Sequence, residues 1–212
     1  MAPPSTDLLV SVSRETREKL DVYARELLRW QRIKKLVGPG TLDDLWSRHF
    51  ADSLQLGELS DQQVWADLGS GAGFPGLVLA IARPGAFIHL LESDGRKCAF
   101  LRHVARLTAA PVRIWEGRIE ALAGELEPKP RVVTARALAP LTRLLGLAEP
   151  LLAGGATGLF PKGQDYRREL TEAAESWRFG AEVIPSRVDA NGRILKVRDF
   201  LGPKPRPPSI SG

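Results

Sequence analysis

The chain holds little of what covalent or metal chemistry needs. Its single cysteine, Cys98, cannot close an internal disulfide, and no cluster with metal-ligand spacing surrounds it. No metal is therefore expected. No apolar run approaches the roughly 20 residues of a membrane-spanning helix. The opening "MAPPSTDLLV" lacks a charged n-region followed by an apolar h-region, so no secretion signal is expected and the protein reads as cytoplasmic. Internal repeats are absent, as are the signatures of the small RNA-binding modules. What remains is an ordinary globular composition: 212 residues, 43% hydrophobic, enough for one domain with an appendage. The balance of 30 basic to 25 acidic residues gives a net charge of +5, a modest bias toward an anionic partner that simple solubility would also explain.

The stretch "VWADLGSGAGFPGLVLAIA", residues 64–82, is the strongest local signal. An apolar run leads into Asp67, three glycines follow at alternate positions (Gly69, Gly71, Gly73), then Phe74-Pro75-Gly76, then a second apolar run. This reads as strand, tight loop and helix start. Glycine permits positive φ and lets a ligand lie on the backbone, and the helix start offers free N–H groups with a partial positive charge. Such a loop holds a dinucleotide pyrophosphate or the amino-acid end of S-adenosylmethionine. The dinucleotide fingerprint spaces its second and third glycines three apart; here they are two apart, with Asp67 two residues before the first. That is the E/D-x-G-x-G-x-G pattern of class I methyltransferases. A second apolar run, "AFIHLLES", ends in Glu92, 19 residues after Gly73, where a strand-tip carboxylate is placed to accept both ribose hydroxyls. A plain surface carboxylate would show the same spacing.

In chain order, the spacing of Leu20, Tyr23, Leu27 and Trp30 predicts a helix from Arg14 to Lys35, with Arg25, Arg29, Arg32, Lys34 and Lys35 on its other face. Thr41 caps a second helix whose stripe is Leu42, Leu45, Trp46, His49, Phe50 and Leu54; His49 there reads as a buried or hydrogen-bonded histidine. Strands are expected at 64–68, 86–92, 112–116, 131–135 and 156–160, alternating with helices at 75–83, 94–108, 118–124, 138–152 and 164–178. Such alternation gives right-handed βαβ units and a parallel sheet covered on both faces. "AEVIPSRV" and "GRILKVRDF", joined through Asn191-Gly192, read as a closing hairpin. The expected fold is thus α/β, Rossmann-like, of the class I S-adenosylmethionine-dependent methyltransferase type. It has a mostly parallel seven-stranded sheet and an N-terminal helical cap. The cap takes residues 1–62, the methyltransferase domain 63–201, and a proline-rich disordered tail 202–212. On the helix after Glu92, Arg96, Lys97, Arg102 and Arg106 are expected to face outward, away from the glycine loop.

"DLGSGAGFPGLVLAI", "LLESDGRKCAFLRHV", "GRIEAL" and "ARALAPL", in this order and preceded by "RHFADSLQL", resemble the RsmG (GidB) family over roughly residues 20 to 165. Its bacterial members methylate a guanine N7 in 16S small-subunit rRNA. The resemblance implies S-adenosylmethionine as cofactor and 16S rRNA, the small subunit or its precursor as partner, with a monomer expected. It also implies cofactor contacts at Gly69, Phe74, Ile119, Glu120 and Arg136, beside Gly71 and Glu92 from the loop reading. Ile119 offers an apolar face to adenine, Glu120 an acceptor for its amino group, and Arg136 a partner for the methionine carboxylate or an RNA phosphate. Candidate RNA contacts are Arg29, Arg32, Lys34, Arg48, Arg96, Lys97, Arg102 and Lys162.

Absences narrow the chemistry. The [ND]-P-P-[FY] motif of exocyclic-amine methylation is missing; "TARALAPL" stands in its place. Cys98 lies outside the position of a C5-methylating nucleophile. Guanine N7 needs neither, having an in-plane lone pair and no proton to lose. Catalysis there rests on alignment and water exclusion. Two other readings fit less of the sequence: a small-molecule methyltransferase on the same fold, and a non-enzymatic RNA-binding module. The basic first helix disfavours the former, the intact loop and Glu92 the latter.

Overall fold

The computed structural model describes residues 8–9, 11–33, 36–38 and 44–205. Helix α1 (Arg14–Gln31) opens at Ser13, whose hydroxyl accepts the Thr16 N–H at 3.1 Å. Leu20, Tyr23 and Leu27 are fully buried, as their spacing predicts. The helix ends four residues short of the expected Lys35; Lys34 and Lys35 lie outside the described residues, as do Thr41 and Leu42. The second helix is not a plain α-helix. Leu45–Ala51 forms π-helical turns that run into α2 (Asp52–Gly57). An extra residue per turn is uncommon and concentrates at functional sites; here it carries Arg48 and His49, with Asp52 next in line.

The sheet then follows the expected alternation. Its elements are β1 (Val64–Leu68), α3 (Gly76–Ala82), β2 (Phe87–Glu92), α4 (Gly95–Thr108), β3 (Val112–Glu116), the short α5 (Ile119–Leu122), β4 (Val132–Thr134), α6 (Leu141–Ala153), β5 (Thr157–Lys162), α7 (Tyr166–Ser176), β6 (Trp177–Pro185) and β7 (Arg193–Pro203). The seven strands lie in the order β3-β2-β1-β4-β5-β7-β6, and β7 alone runs antiparallel to its neighbours. The order reverses between β1 and β4, which opens a crevice at their carboxyl ends.

Alternate strand residues feed two cores, as the period-two geometry of a strand requires. Trp65, Leu90 and Val132 join Leu20, Tyr23, Phe50, Val78 and Phe100 on one face. Ala66, Leu68, Leu91 and Val133 join Ile119, Leu145 and Leu147 on the other. The N-terminal helices therefore share a core with the sheet.

Several boundaries differ from the sequence reading; the helix expected from 138 begins at Leu141. The helix expected to 178 stops at Ser176, and β6 begins at Trp177, whose indole N–H donates to the Thr142 carbonyl at 3.0 Å. A tertiary contact of an aromatic residue decides that end. Strand β7 runs to Pro203, two residues into the stretch read as tail; from residue 206 on, that stretch lies outside the described residues.

Because α1 lies in the sheet's own core, Leu20→Ala is expected to cost about 2–5 kcal/mol and to lower a single unfolding transition, followed by calorimetry. A separate early transition for the N-terminal helices would contradict this.

Candidate functional site

The glycine loop bridges β1 and α3. Gly69, Gly71 and Gly73 all have positive φ (+66°, +59° and +105°). They differ in what surrounds them. A Cβ on Gly69 would meet Leu138 at 2.6 Å and one on Gly73 the Tyr23 hydroxyl at 2.5 Å, whereas one on Gly71 would find nothing nearer than the Gly69 carbonyl at 3.9 Å. Gly71 is the position where the loop backbone faces open space. From the helical layer, the Tyr23 hydroxyl donates a hydrogen bond to the Ala72 carbonyl, and its ring stacks on Phe74 with centroids 5.4 Å apart.

Glu92, at the tip of β2, holds the loop from the other side. One carboxylate oxygen accepts the Gly71 N–H at 2.8 Å and the other accepts the N–H groups of Ser93 and Asp94 at 2.8 Å. A carboxylate offers about four acceptor directions, so these bonds leave capacity for a ligand hydroxyl. Asp94 in turn caps α4 by accepting the Arg96 N–H at 2.8 Å. Asp67 is fully buried: one oxygen accepts the Gly76 N–H at 3.0 Å, and the other has no hydrogen-bond partner among the described residues. Burial pushes its carboxyl from 3.8 to about 7, against the pull of the Gly76 N–H.

Three adjoining cavities run along the carboxyl edge of the sheet. The first, about 270 Å³, lies over β2 and β3, with Glu92, Ile119 and Glu120 on its walls and Gly69 and Gly71 at its inner end. The second, about 640 Å³, spans the loop between the π-helix (Arg48, His49), Phe74 and the β6–β7 connection at Val188–Ala190. The third, about 510 Å³, lies beyond β4 and β5 beside Pro140, Lys162 and Arg193. Arg136 and Ala137 border all three. The seven residues singled out from the sequence, Gly69, Gly71, Phe74, Glu92, Ile119, Glu120 and Arg136, thus line one continuous groove.

Arg136 is not a free surface arginine. Its guanidinium donates to the Arg48 carbonyl at 3.0 Å, to Asp52 at 3.3 Å and to Nδ1 of His49 at 2.6 Å, and lies 5.1 Å over the Phe74 ring. Since arginine only donates, His49 accepts through Nδ1 and is neutral at that nitrogen. Burial raises the Asp52 carboxyl, opposed by Arg136. Asp52 also accepts from Gln55 at 2.8 Å, and buried Gln55 reaches the β6–β7 connection by accepting the Arg187 N–H at 2.9 Å. No sequence pattern signals these links, because Gln55 and Arg187 are 132 positions apart.

One expected nucleic-acid contact is spent inside the protein, and two others form ion pairs at its surface. Lys162, 9% exposed, is held by the Ala139 carbonyl at 2.8 Å and by Glu169 at 2.7 Å. Arg102 pairs with Glu116 and Arg96 with Asp94. Lys97 borders the first cavity, so it does not point away from the loop as expected, whereas Arg96 beside it stays exposed. Cys98 is buried with its thiol raised to about 11 and bonded to the Glu92 carbonyl, no nucleophile. Among the described residues no helix is long and apolar enough to cross a membrane.

The open face at Gly71, the acceptor capacity left on Glu92 and the apolar wall at Ile119 fit S-adenosylmethionine. Gly71→Val is expected to abolish its binding while the chain stays folded, because the branched side chain enters the open space and resists positive φ; calorimetric titration checks this. Asp67 has a raised folded-state value, so its contribution to stability is full below about 3.8 and is lost as pH rises through about 7. Relative to wild type, Asp67→Asn should therefore gain a few kcal/mol between pH 4 and pH 8, measured by urea unfolding across that range. A constant difference would contradict the buried carboxyl.

The model of the GidB family, described as rRNA small subunit methyltransferase G, matches residues 16–193. A Ribosomal RNA small subunit methyltransferase G from Methylorubrum extorquens is 55% identical over 190 residues, 88% of this chain and 90% of that protein. One from Methylobacterium sp. (strain 4-46) is 50% identical over 213 residues, covering 97% of this chain and all of that protein. Among solved structures, cofactor-bound Rv0187 from MTB superposes with a TM-score of 0.58 at 13% identity, over 93% of this chain and 98% of that one, a likeness of fold. With the family model spanning most of the chain and half or more of the residues shared with these relatives, the chain belongs to the GidB family of rRNA small subunit methyltransferases.

Proposed function

We propose that the groove carries methyl transfer from S-adenosylmethionine to N7 of a guanine in 16S rRNA, with the cofactor over β1 and β2 and the target base entering over β4 and β5. Membership of the family makes the chain an S-adenosylmethionine-dependent methyltransferase of small-subunit rRNA. The observation that carries the division of the groove is the open backbone at Gly71 beside the clamped carboxylate of Glu92.

Glu92 takes a ribose hydroxyl on the oxygen bonded to Gly71, where the one acceptor direction left by its three backbone N–H bonds lies, one hydroxyl fewer than the sequence reading assigns it. Ile119 covers one face of adenine and Glu120 lies near its amino group. The cofactor supplies a methyl group on a positively charged sulfur. With the cofactor bound, the guanine N7 lone pair would take the methyl group, the C–S electron pair would go to sulfur, and the positive charge would pass to the purine ring. No proton leaves N7, so no residue need act as base. The work of Arg136, Phe74 and Tyr23 is to hold the loop and the two cavities in line and to keep water out. Cys98, with its raised thiol, is suited to no covalent route.

The test is to incubate the protein with labelled S-adenosylmethionine and unmodified small subunits and to map the modified base. Label in one guanine, with the mass and cleavage behaviour of 7-methylguanosine, is the expected result; label at an exocyclic amine or a ring carbon contradicts it. Glu92→Gln, which keeps one acceptor oxygen and loses the charge, should weaken cofactor binding about tenfold to a hundredfold, from the ~1.5–3 kcal/mol of a charge-assisted hydrogen bond. An unchanged dissociation constant would remove Glu92 from the site.

A further inference from the structure

We infer that the rRNA backbone docks on the rim of the groove itself, through Arg48, Lys97, Arg118 and Arg143, rather than on the basic outer faces of α1 and α4. The inference rests on the rRNA reading above and goes beyond it by naming the phosphate-contacting surface.

All four side chains border the two cavities nearest the glycine loop. Among the described residues none of them has a carboxylate partner. On the helix faces part of the charge is paired, Arg29 with Glu26 at 3.9 Å, Arg96 with Asp94 at 3.7 Å and Arg102 with Glu116 at 2.9 Å, while Arg25, Arg32 and Arg106 have no carboxylate partner among the described residues. Positive charge left unpaired on this rim has no use in local stability. Lys97 and Arg143 stand in the first turns of α4 and α6, neither of which carries an acidic residue there. At that end of a helix the macrodipole disfavours a cation.

Nor does the cofactor account for the charge. S-adenosylmethionine carries one carboxylate against an ammonium and a sulfonium, and is a net cation. A ring of cations around its pocket opposes its entry rather than attracting it. A polyanion is the ligand such a rim favours, and its phosphates would screen the repulsion. Arg136, by contrast, is matched by Asp52 and adds no net charge. With phosphates held on the rim, a base turned out of its strand needs to travel only the depth of the groove to reach the methyl group.

The experiment compares wild type with Arg118→Ala/Arg143→Ala on the rim, Arg48→Ala on the opposite side of the groove, and Arg25→Ala/Arg32→Ala on the outer face of α1. Binding to unmodified small subunits is measured at several salt concentrations, cofactor affinity by calorimetry, and folding by thermal melts. Each neutralised single-strand phosphate contributes about 0.7 to the log–log salt slope. The rim pair is expected to lower that slope by about 1.4 and Arg48→Ala by about 0.7, while the α1 pair leaves it unchanged; the rim pair, which removes cations that oppose the cofactor, binds cofactor at least as tightly as wild type, and the α1 pair within about twofold. A slope carried by the α1 pair overturns the proposal, as does a flat wild-type slope. So does lost cofactor affinity with an intact RNA slope, which would make the rim part of the cofactor site. Failure of wild type to modify a guanine on bound subunits would instead count against the proposed reaction, leaving the docking surface standing.

Discussion

The guanidinium of Arg136 is the joint of the molecule. It ties the loop after β4 to the π-helix through Asp52, His49 and the Arg48 carbonyl, and it lies on Phe74 of the glycine loop. Three segments that share no local sequence meet at one charged group. Asp52 extends the joint through Gln55 to the connection between β6 and β7, so that a fourth wall is set by the same cluster. Breaking one partner of such a pair leaves an uncompensated charge, a loss of about 3–5 kcal/mol in buried examples. The groove's shape and the fold's stability therefore depend on the same bonds.

Around this joint the site divides its labour by chemistry. In the proposed site, backbone groups and one clamped carboxylate would face the cofactor, stacked aromatic rings close the inner side, and cations without a carboxylate partner border the cavities. Tyr23 shows why a helical layer precedes the first strand: its hydroxyl and ring support the loop from below, and Gly73 is glycine because that hydroxyl occupies the place of a Cβ. The residues that shape the proposed cofactor pocket are thus drawn from the N-terminal helices as well as from the sheet and its loops. A reaction that removes no proton asks for rigidity more than for acid–base groups, and the carboxylates of Glu92 and Asp52 are correspondingly engaged in holding backbone and arginine.

Much of this is legible in the sequence, for identifiable reasons. The strand and helix alternation follows from hydrophobic periodicity, and the Gly69–Gly73 spacing with Asp67 and Glu92 from constraints that act within about 30 residues of chain. What the sequence hides depends on distance or on local departures from regular geometry. The π-helix at Leu45–Ala51 shifts Arg48 and His49 onto the groove, and no propensity encodes it. Gln55 meets the β6–β7 connection only in the folded state. Trp177 starts a strand because of Thr142, far away in sequence. A charged run on a helix normally faces solvent, which is why the pattern of α4 alone puts Lys97 outside; the sheet's edge, not the helix's own pattern, sets it on the rim. His49 is the hydrogen-bonded histidine its stripe suggests, but nothing local names Arg136 as its partner.

The claim that one charged joint sets the groove is tested most directly by a double-mutant cycle on Asp52→Asn and Arg136→Gln, read as kcat/KM for rRNA methylation. If the two residues act as one unit, the double variant will be about as impaired as the worse single one, with a coupling free energy above about 1 kcal/mol. Effects that add would show that Asp52 and Arg136 serve separate ends, and would contradict a groove set by a single joint.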